Sequence, residues 1–283
     1  MKMWAPHAID FRLRLSLGCH LGPAVTHGVH ALGGGTPLPG VPRPETRAVL
    51  HTAGQELLAT VDAHLAGSQV LPEEDLGRLC FVAAFYKDIF RTGEVRRFSM
   101  LADATPTTSL DELTASVPVY AVDDIGRQME LAEGLFERFR AYPPPARLCG
   151  PMFAGSQDLG GADADFILGG LLLDCKATTR PRRLGTEEIY QLAGYLLLDY
   201  DDRFGINQVG SYLSRQGALV TWHVQEFLQR LGASYPLSVL RARLRAHLRH
   251  ARAQHPSNRT EHSVPLPPTK SINATTQVGW RGP

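Results

Sequence analysis

Through the first half of the chain, apolar side chains recur every three or four residues, the spacing that gathers them on one helical face. In "ETRAVLHTAGQELLATVDAHLAG" Val49, Leu50, Leu57, Leu58, Val61 and Leu65 share such a face, and Gly67 ends it. In "PEEDLGRLCFVAAFYKDIFRTG" the repeat runs through Leu76, Leu79, Cys80, Ala83 and Phe90, between Pro72 with acids in the first turn and a stop at Gly93. Phe81, Phe85 and Tyr86 of the same segment are expected in the core rather than on a base-stacking surface. A third helix is predicted over about 123–141, carried by Ile125, Met129, Ala132, Leu135, Phe136 and Phe139 and closed by "YPPP".

After Pro145 the period changes from helical spacing to short apolar runs bounded by glycine. "ADFILGGLLLDCKAT" reads as a β-hairpin: Asp165 starts one strand, Gly169-Gly170 makes the turn, and "LLLDCK" is the return strand. Alternation then points Asp174 and Lys176 to one face and Cys175 to the other. A helix follows through "EEIYQLAGYLLLDY", then two strands in "INQVGSYLSRQGALVTWHV" turning at Gly217, then a helix in "PLSVLRARLRAHLRHARA". The fold class expected is mixed α/β (α+β), with a mainly α-helical N-terminal region. Residues 1–44, rich in Gly, Pro and His, are expected to form a flexible arm, 45–120 a helical region, 121–253 the α/β core with its basic last helix, and 254–283 a disordered tail.

Composition narrows the chemistry only a little. The 283 residues are 43% hydrophobic with a formal net charge of +1, so no global field favours nucleic acid, and any basic surface is local. Arg241, Arg243, Arg245, Arg249 and Arg252 supply such a local patch on the last helix. Cys19, Cys80, Cys149 and Cys175 form no C-x-x-C pair and are expected as reduced thiols of a cytoplasmic protein. No apolar run reaches the ~18 to 20 residues of a membrane span. Cys19, His20, His27 and His30 are chemically able to bind zinc, but their spacing fits no zinc module and a solvated loop is expected. The triple glycine from Gly33 lacks the Lys-Ser/Thr of a phosphate loop.

Two carboxylates and an amine converging on one strand face suit a hard divalent cation and a phosphate. Asp165, a step of nine residues to Asp174, then Asp-x-Lys ending in Lys176, resembles the PD-(D/E)xK nuclease superfamily, with Ala164 in the place of the motif's proline. Gln191 and Tyr195, one turn apart in "QLAGY", resemble the Q-x-x-x-Y element of its RecB-like branch. The order of strands and helix over roughly 123–224 is similar to that nuclease core as well.

The resemblance implies a restriction-endonuclease-like mixed sheet flanked by helices. It implies magnesium or manganese on Asp165, Asp174 and the main-chain carbonyl of Cys175, with Lys176 orienting water or offsetting phosphate charge. Gln191 and Tyr195 would position the lysine or the nucleic-acid backbone. A further acid on the preceding helix is expected among Glu130, Glu133 and Glu137. The activity implied is Mg-dependent hydrolysis of DNA, in repair, restriction or phage defence, with DNA and other proteins of those systems as partners. The alternative is a noncatalytic nucleic-acid-binding or scaffolding protein that keeps the fold. In the bland reading, Asp163 and Asp165 cap a turn and Asp174-x-Lys176 is an exposed strand end.

Overall fold

In the computed structural model, which describes residues 5–34, 37–41, 43–159, 161–179 and 185–254, six helices precede the sheet. They are α1 (Ala5–Ser16), α2 (Pro23–Gly33), α3 (Pro44–Leu65), α4 (Glu73–Thr92), α5 (Leu110–Ala115) and α6 (Val119–Arg140). There follow β1 (Arg147–Cys149), β2 (Phe166–Leu168), β3 (Leu171–Lys176), α7 (Thr186–Leu198), β4 (Gln208–Leu213), β5 (Ala218–His223), α8 (Val224–Arg230) and α9 (Leu237–Gln254). The strands form one mixed sheet in the order β1-β2-β3-β4-β5. Only β3 and β4 are parallel neighbours, and α7 is the crossover that a parallel pair requires.

The predicted hairpin is present. Gly169 and Gly170 both take positive φ, 58° and 86°, which a tight two-residue turn demands and a side chain would resist. The register sets Phe166 opposite Leu173 and Leu168 opposite Leu171. Carried one residue further, it brings Asp165 level with Asp174.

Alternation divides the apolar residues between two cores. Phe166, Leu168, Leu171, Leu173, Cys175 and Tyr212 pack with the helices of the first half, where Phe136 meets Phe166 and Tyr212 edge-on at 6.0 and 5.2 Å. Ile167, Leu172 and Val209 face the other way, onto Leu192 and Leu196 of α7 and Phe227 of α8, with Leu240, Leu244 and Leu248 of α9 behind. Because β3 is covered on both faces, its apolar run is continuous rather than alternating.

The arm expected over 1–44 is corrected by the structure. Within it, α1 and α2 are helices, and Ile9, Phe11, Leu13, Val25 and Val29 are among the most buried side chains. Gly28 lets α2 approach α4 closely, since a Cβ there would lie 1.8 Å from the carbonyl oxygen of Tyr86. The N-terminal helices and the sheet share one continuous core, so the boundary expected at 120 is not a break in packing. The expected tail, 254–283, lies outside the described residues apart from Gln254. Among the described residues, no helix is long and apolar enough to cross a membrane.

Candidate active site

The carboxyl end of β3 is where sequence and fold place polar groups in an apolar setting. Asp174 is 2% exposed although Leu171, Leu172 and Leu173 before it and Cys175 after it are apolar. Asp165 stands just before β2 and turns its carboxylate into the ladder, where Oδ2 accepts the Cys175 backbone N–H at 2.8 Å. That bond replaces the strand pairing that β2, three residues long, is too short to give.

Lys176 lies on the same face as Asp174, as alternation requires. Its Nζ donates to Gln191 Oε1 at 2.7 Å and sits 2.8 Å from Asp174 Oδ2. The second contact is a close ion pair, and the Lys176 ammonium is the partner that the structure gives Asp174 Oδ2. Gln191 Nε2 in turn donates to the Tyr195 hydroxyl oxygen at 2.8 Å, which leaves the phenolic proton able to donate onward. Tyr195 is stacked on Phe153 at 5.8 Å. Asp174, Lys176, Gln191 and Tyr195 therefore form one chain of contacts from strand to helix, and Asp165 adjoins it through Cys175.

The end of β3 is braced from the far side. Ser214 Oγ donates to Gln128 Oε1 of α6 at 2.6 Å and lies 3.4 Å from the Lys176 carbonyl. Arg215 donates to the Ala177 carbonyl at 3.1 Å and to Asp124 at 2.6 Å. These groups fix the strand end that carries Lys176.

Burial pushes both acids up, Asp165 to about 6 and Asp174 to about 7, and each is raised further by a neighbouring carboxylate: Asp10 for Asp165, Asp165 for Asp174. Arg14 and Lys87 oppose the shift at Asp165, and Lys176 opposes it at Asp174. Unfolded, the same acids titrate near 4. Between those values the native state holds protons that the unfolded chain has released, so stability falls as pH rises through about 6 and about 7. In the metal-free protein the melting temperature is expected to decline over that window. Asp174→Asn, which keeps the shape and removes the titration, should flatten the decline. Thermal unfolding of both proteins across pH checks it, and a parent curve that rises over the window contradicts it.

Three further charged groups, missed in the sequence, border the site. Arg14 Nε donates to Asp10 Oδ1 at 3.0 Å, and its Nη2 lies 2.9 Å from Asp10 Oδ2 and 3.8 Å from Asp165 Oδ1. Lys87 of α4 lies 3.9 Å from Asp10. Burial works against the charge of Arg14, but Asp10 and Asp165 outweigh it and hold the guanidinium firmly protonated. The signal was a polar i,i+4 pair, Asp10 and Arg14, in a stretch from Ala8 to Leu15 that is otherwise apolar except at Arg12.

Several expectations are corrected. Glu130, Glu133 and Glu137 are exposed along α6, whose buried face carries Met129, Ala132 and Phe136, so none completes the site. Asp163, a turn cap in the bland reading, forms an ion pair with Arg91 of α4. Arg241 is 4% exposed and is tied to Asp199 at 3.1 Å and Asp202 at 2.6 Å, while Arg252 pairs with Asp158. Of the expected basic patch, Arg243, Arg245 and Arg249 remain exposed on α9, Arg245 and Arg249 one turn apart with Arg245 over the Tyr200 ring, and Arg243 on another face over the Tyr235 ring. In the zinc-capable quartet, His20 pairs with Asp62 and His27 lies against Phe90. Among the described residues, no group of three or more His, Cys, Asp or Glu side chains is arranged to hold a metal.

No family model, curated protein or solved structure matches the chain. The case for a function therefore rests on these residues and their geometry.

Proposed function

We propose that the chain is a metal-dependent nuclease hydrolysing DNA phosphodiester bonds, in the manner of the RecB-like branch of the PD-(D/E)xK superfamily. The observation that carries the reading is the contact chain Asp174–Lys176–Gln191–Tyr195 with Asp165 beside it. A turn cap and an exposed strand end do not need a buried acid, a half-buried lysine and a glutamine–tyrosine pair joined across two elements.

The residues fit a divalent ion such as magnesium. Asp165, Asp174 and the Cys175 carbonyl are hard oxygen donors, and Asp174 Oδ2 is buried with one mobile side chain, that of Lys176, against it. Two carboxylates with water and phosphate filling the remaining positions is the usual magnesium arrangement. When bound, the ion supplies Lewis-acid polarisation and lowers the pKa of water. The chain itself holds Lys176 where its charge meets a phosphate, keeps its amine aimed through Gln191, and fixes Gln191 through Tyr195. Exposed Arg243, Arg245 and Arg249 of α9 offer phosphate contacts away from the chemistry.

Cleavage of linear and supercoiled DNA is expected with magnesium or manganese and to vanish in EDTA, returning when the metal is restored. Full cleavage in EDTA would remove the metal from the reading.

One observation favours a second reading, a noncatalytic protein that keeps the fold. Arg14 already places a fixed cation 3.8 Å from Asp165, where a metal ion's charge would otherwise be needed. In that case neither DNA cleavage nor metal-dependent stabilisation is expected.

A further inference from the structure

Two of the four cysteines meet across the molecule, and the nuclease reading makes no use of them. Cys19 follows α1, where the chain turns back through Gly18 and the Cys19 N–H donates to the Arg14 carbonyl at 2.9 Å. Cys149 ends β1, the edge strand of the sheet. The two segments are docked: Arg147 Nη1 donates to the Leu17 carbonyl at 2.9 Å, and Cys19 Sγ lies 3.9 Å from the Arg147 carbonyl. Arg147 and Cys149 share one side of β1, so the contacts of Arg147 with Leu17 and Cys19 bring the two thiols close enough to couple electrostatically, and both cysteines are partly exposed. Cys80 and Cys175 are buried.

We propose that Cys19 and Cys149 are a redox-responsive thiol pair, in which a hydroperoxide oxidises Cys19 and Cys149 then closes a disulfide between the end of α1 and the edge strand. The Cys19 thiolate sulfur attacks a peroxide oxygen; the O–O bond breaks, and the leaving alkoxide or hydroxide takes a proton from water. Cys19 is then a sulfenic acid. The Cys149 sulfur attacks the Cys19 sulfur, the S–O bond breaks, and the departing hydroxide leaves as water with the Cys149 proton. Two electrons pass from the thiol pair to the peroxide.

The surroundings select Cys19 as the attacking thiol. The Cys149 hydrogen bond lowers it to about 7 against the opposing effect of burial, helped by the charges of Arg147, Arg14 and His20. Cys149 is pushed the other way, by its bond to Cys19 and by burial, so it stays protonated until Cys19 has reacted and that bond is gone. Burial raises Cys80 to about 12 and Cys175 well above its ordinary value, so both are built-in controls. The link would also reach the acidic site, because the N–H of Gly150, next to Cys149, donates to the Asp165 carbonyl at 2.9 Å.

The test uses the reduced full chain, treated with hydrogen peroxide and then alkylated, digested without reductant and read by mass spectrometry. The expected product is a Cys19–Cys149 cross-linked peptide, two hydrogens lighter than the thiols and reversed by dithiothreitol. Cys19→Ser should abolish it, and Cys149→Ser should leave a dimedone-reactive sulfenic acid at Cys19. In the unsubstituted chain, Cys19 should be consumed at least about tenfold faster than Cys80 or Cys175. That comparison stands whether or not the variants fold. Equal consumption of the four cysteines, oxidation of Cys19 without the cross-link, or a Cys19 still reduced when methionines are oxidised would each overturn the proposal.

Discussion

Lys176→Ala is expected to lower DNA cleavage at saturating metal by about a hundred- to a thousandfold while leaving the fold and DNA affinity close to the parent. The side chain is the junction of the contact chain, touching Asp174 at 2.8 Å and Gln191 at 2.7 Å. A positive charge held there stabilises phosphate charge that develops mainly in the transition state, so its loss falls on the chemical step rather than on binding. It also removes the main local cation opposing protonation of Asp174, whose carboxyl should then titrate still higher than about 7. At limiting metal, residual activity should therefore need a higher pH than the parent's, because Asp174 must release its proton to take the ion, a change that a merely structural lysine would not produce. Single-turnover cleavage across pH, with filter binding in parallel, separates the two. A Lys176→Ala protein that cuts as fast as the parent makes the lysine structural and puts the noncatalytic reading first.

The hairpin was legible because three independent signals coincide there: two short apolar runs, a glycine pair between them that can take the positive φ it is found to have, and a charged strand end. The helices α3, α4 and α6 were legible from their period, and the Gly93 stop takes the left-handed geometry that its type allows. Gln191 and Tyr195 needed only helical spacing to be placed together. Residues 5–16 were not legible, because "FRLRLSL" alternates like a strand and α1 is buried nearly all round rather than along one stripe. Arg12 is satisfied by Glu73 and Arg14 in part by Asp165, partners far away in sequence that no local pattern encodes, and only the Asp10–Arg14 pair is local. The same holds for Arg241, which reads as one arginine of a basic stripe but is buried on Asp199 and Asp202. Glu130, Glu133 and Glu137 have acceptable spacing, yet the face of α6 that meets the sheet is set by its apolar residues and turns them outward.

Arg14→Met is expected to destabilise the protein by about 3–5 kcal/mol, because it leaves buried Asp10 without its main counter-charge. The guanidinium is 2% exposed and holds Asp10 through two contacts, Asp165 through a third at 3.8 Å, and the Leu21 carbonyl at 3.4 Å. It also lies over the rings of Phe11 and Phe166, at 5.7 and 6.0 Å, so methionine restores the bulk but not the charge. What remains near Asp10 is Lys87 at 3.9 Å, one cation for two neighbouring acids. Replacing both partners, Asp10→Leu with Arg14→Met, removes the orphaned charge as well as its counter-ion and should recover most of the loss. Urea unfolding of the two single variants and the double variant measures the coupling directly. If Arg14→Met costs less than about 1 kcal/mol, or if the double variant is no better than the single, the buried pair does not hold α1 against the sheet. In the catalytic reading, divalent metal should also stabilise the Arg14→Met protein more than the parent, since Asp165 then loses its nearest fixed cation and has more to gain from a bound one.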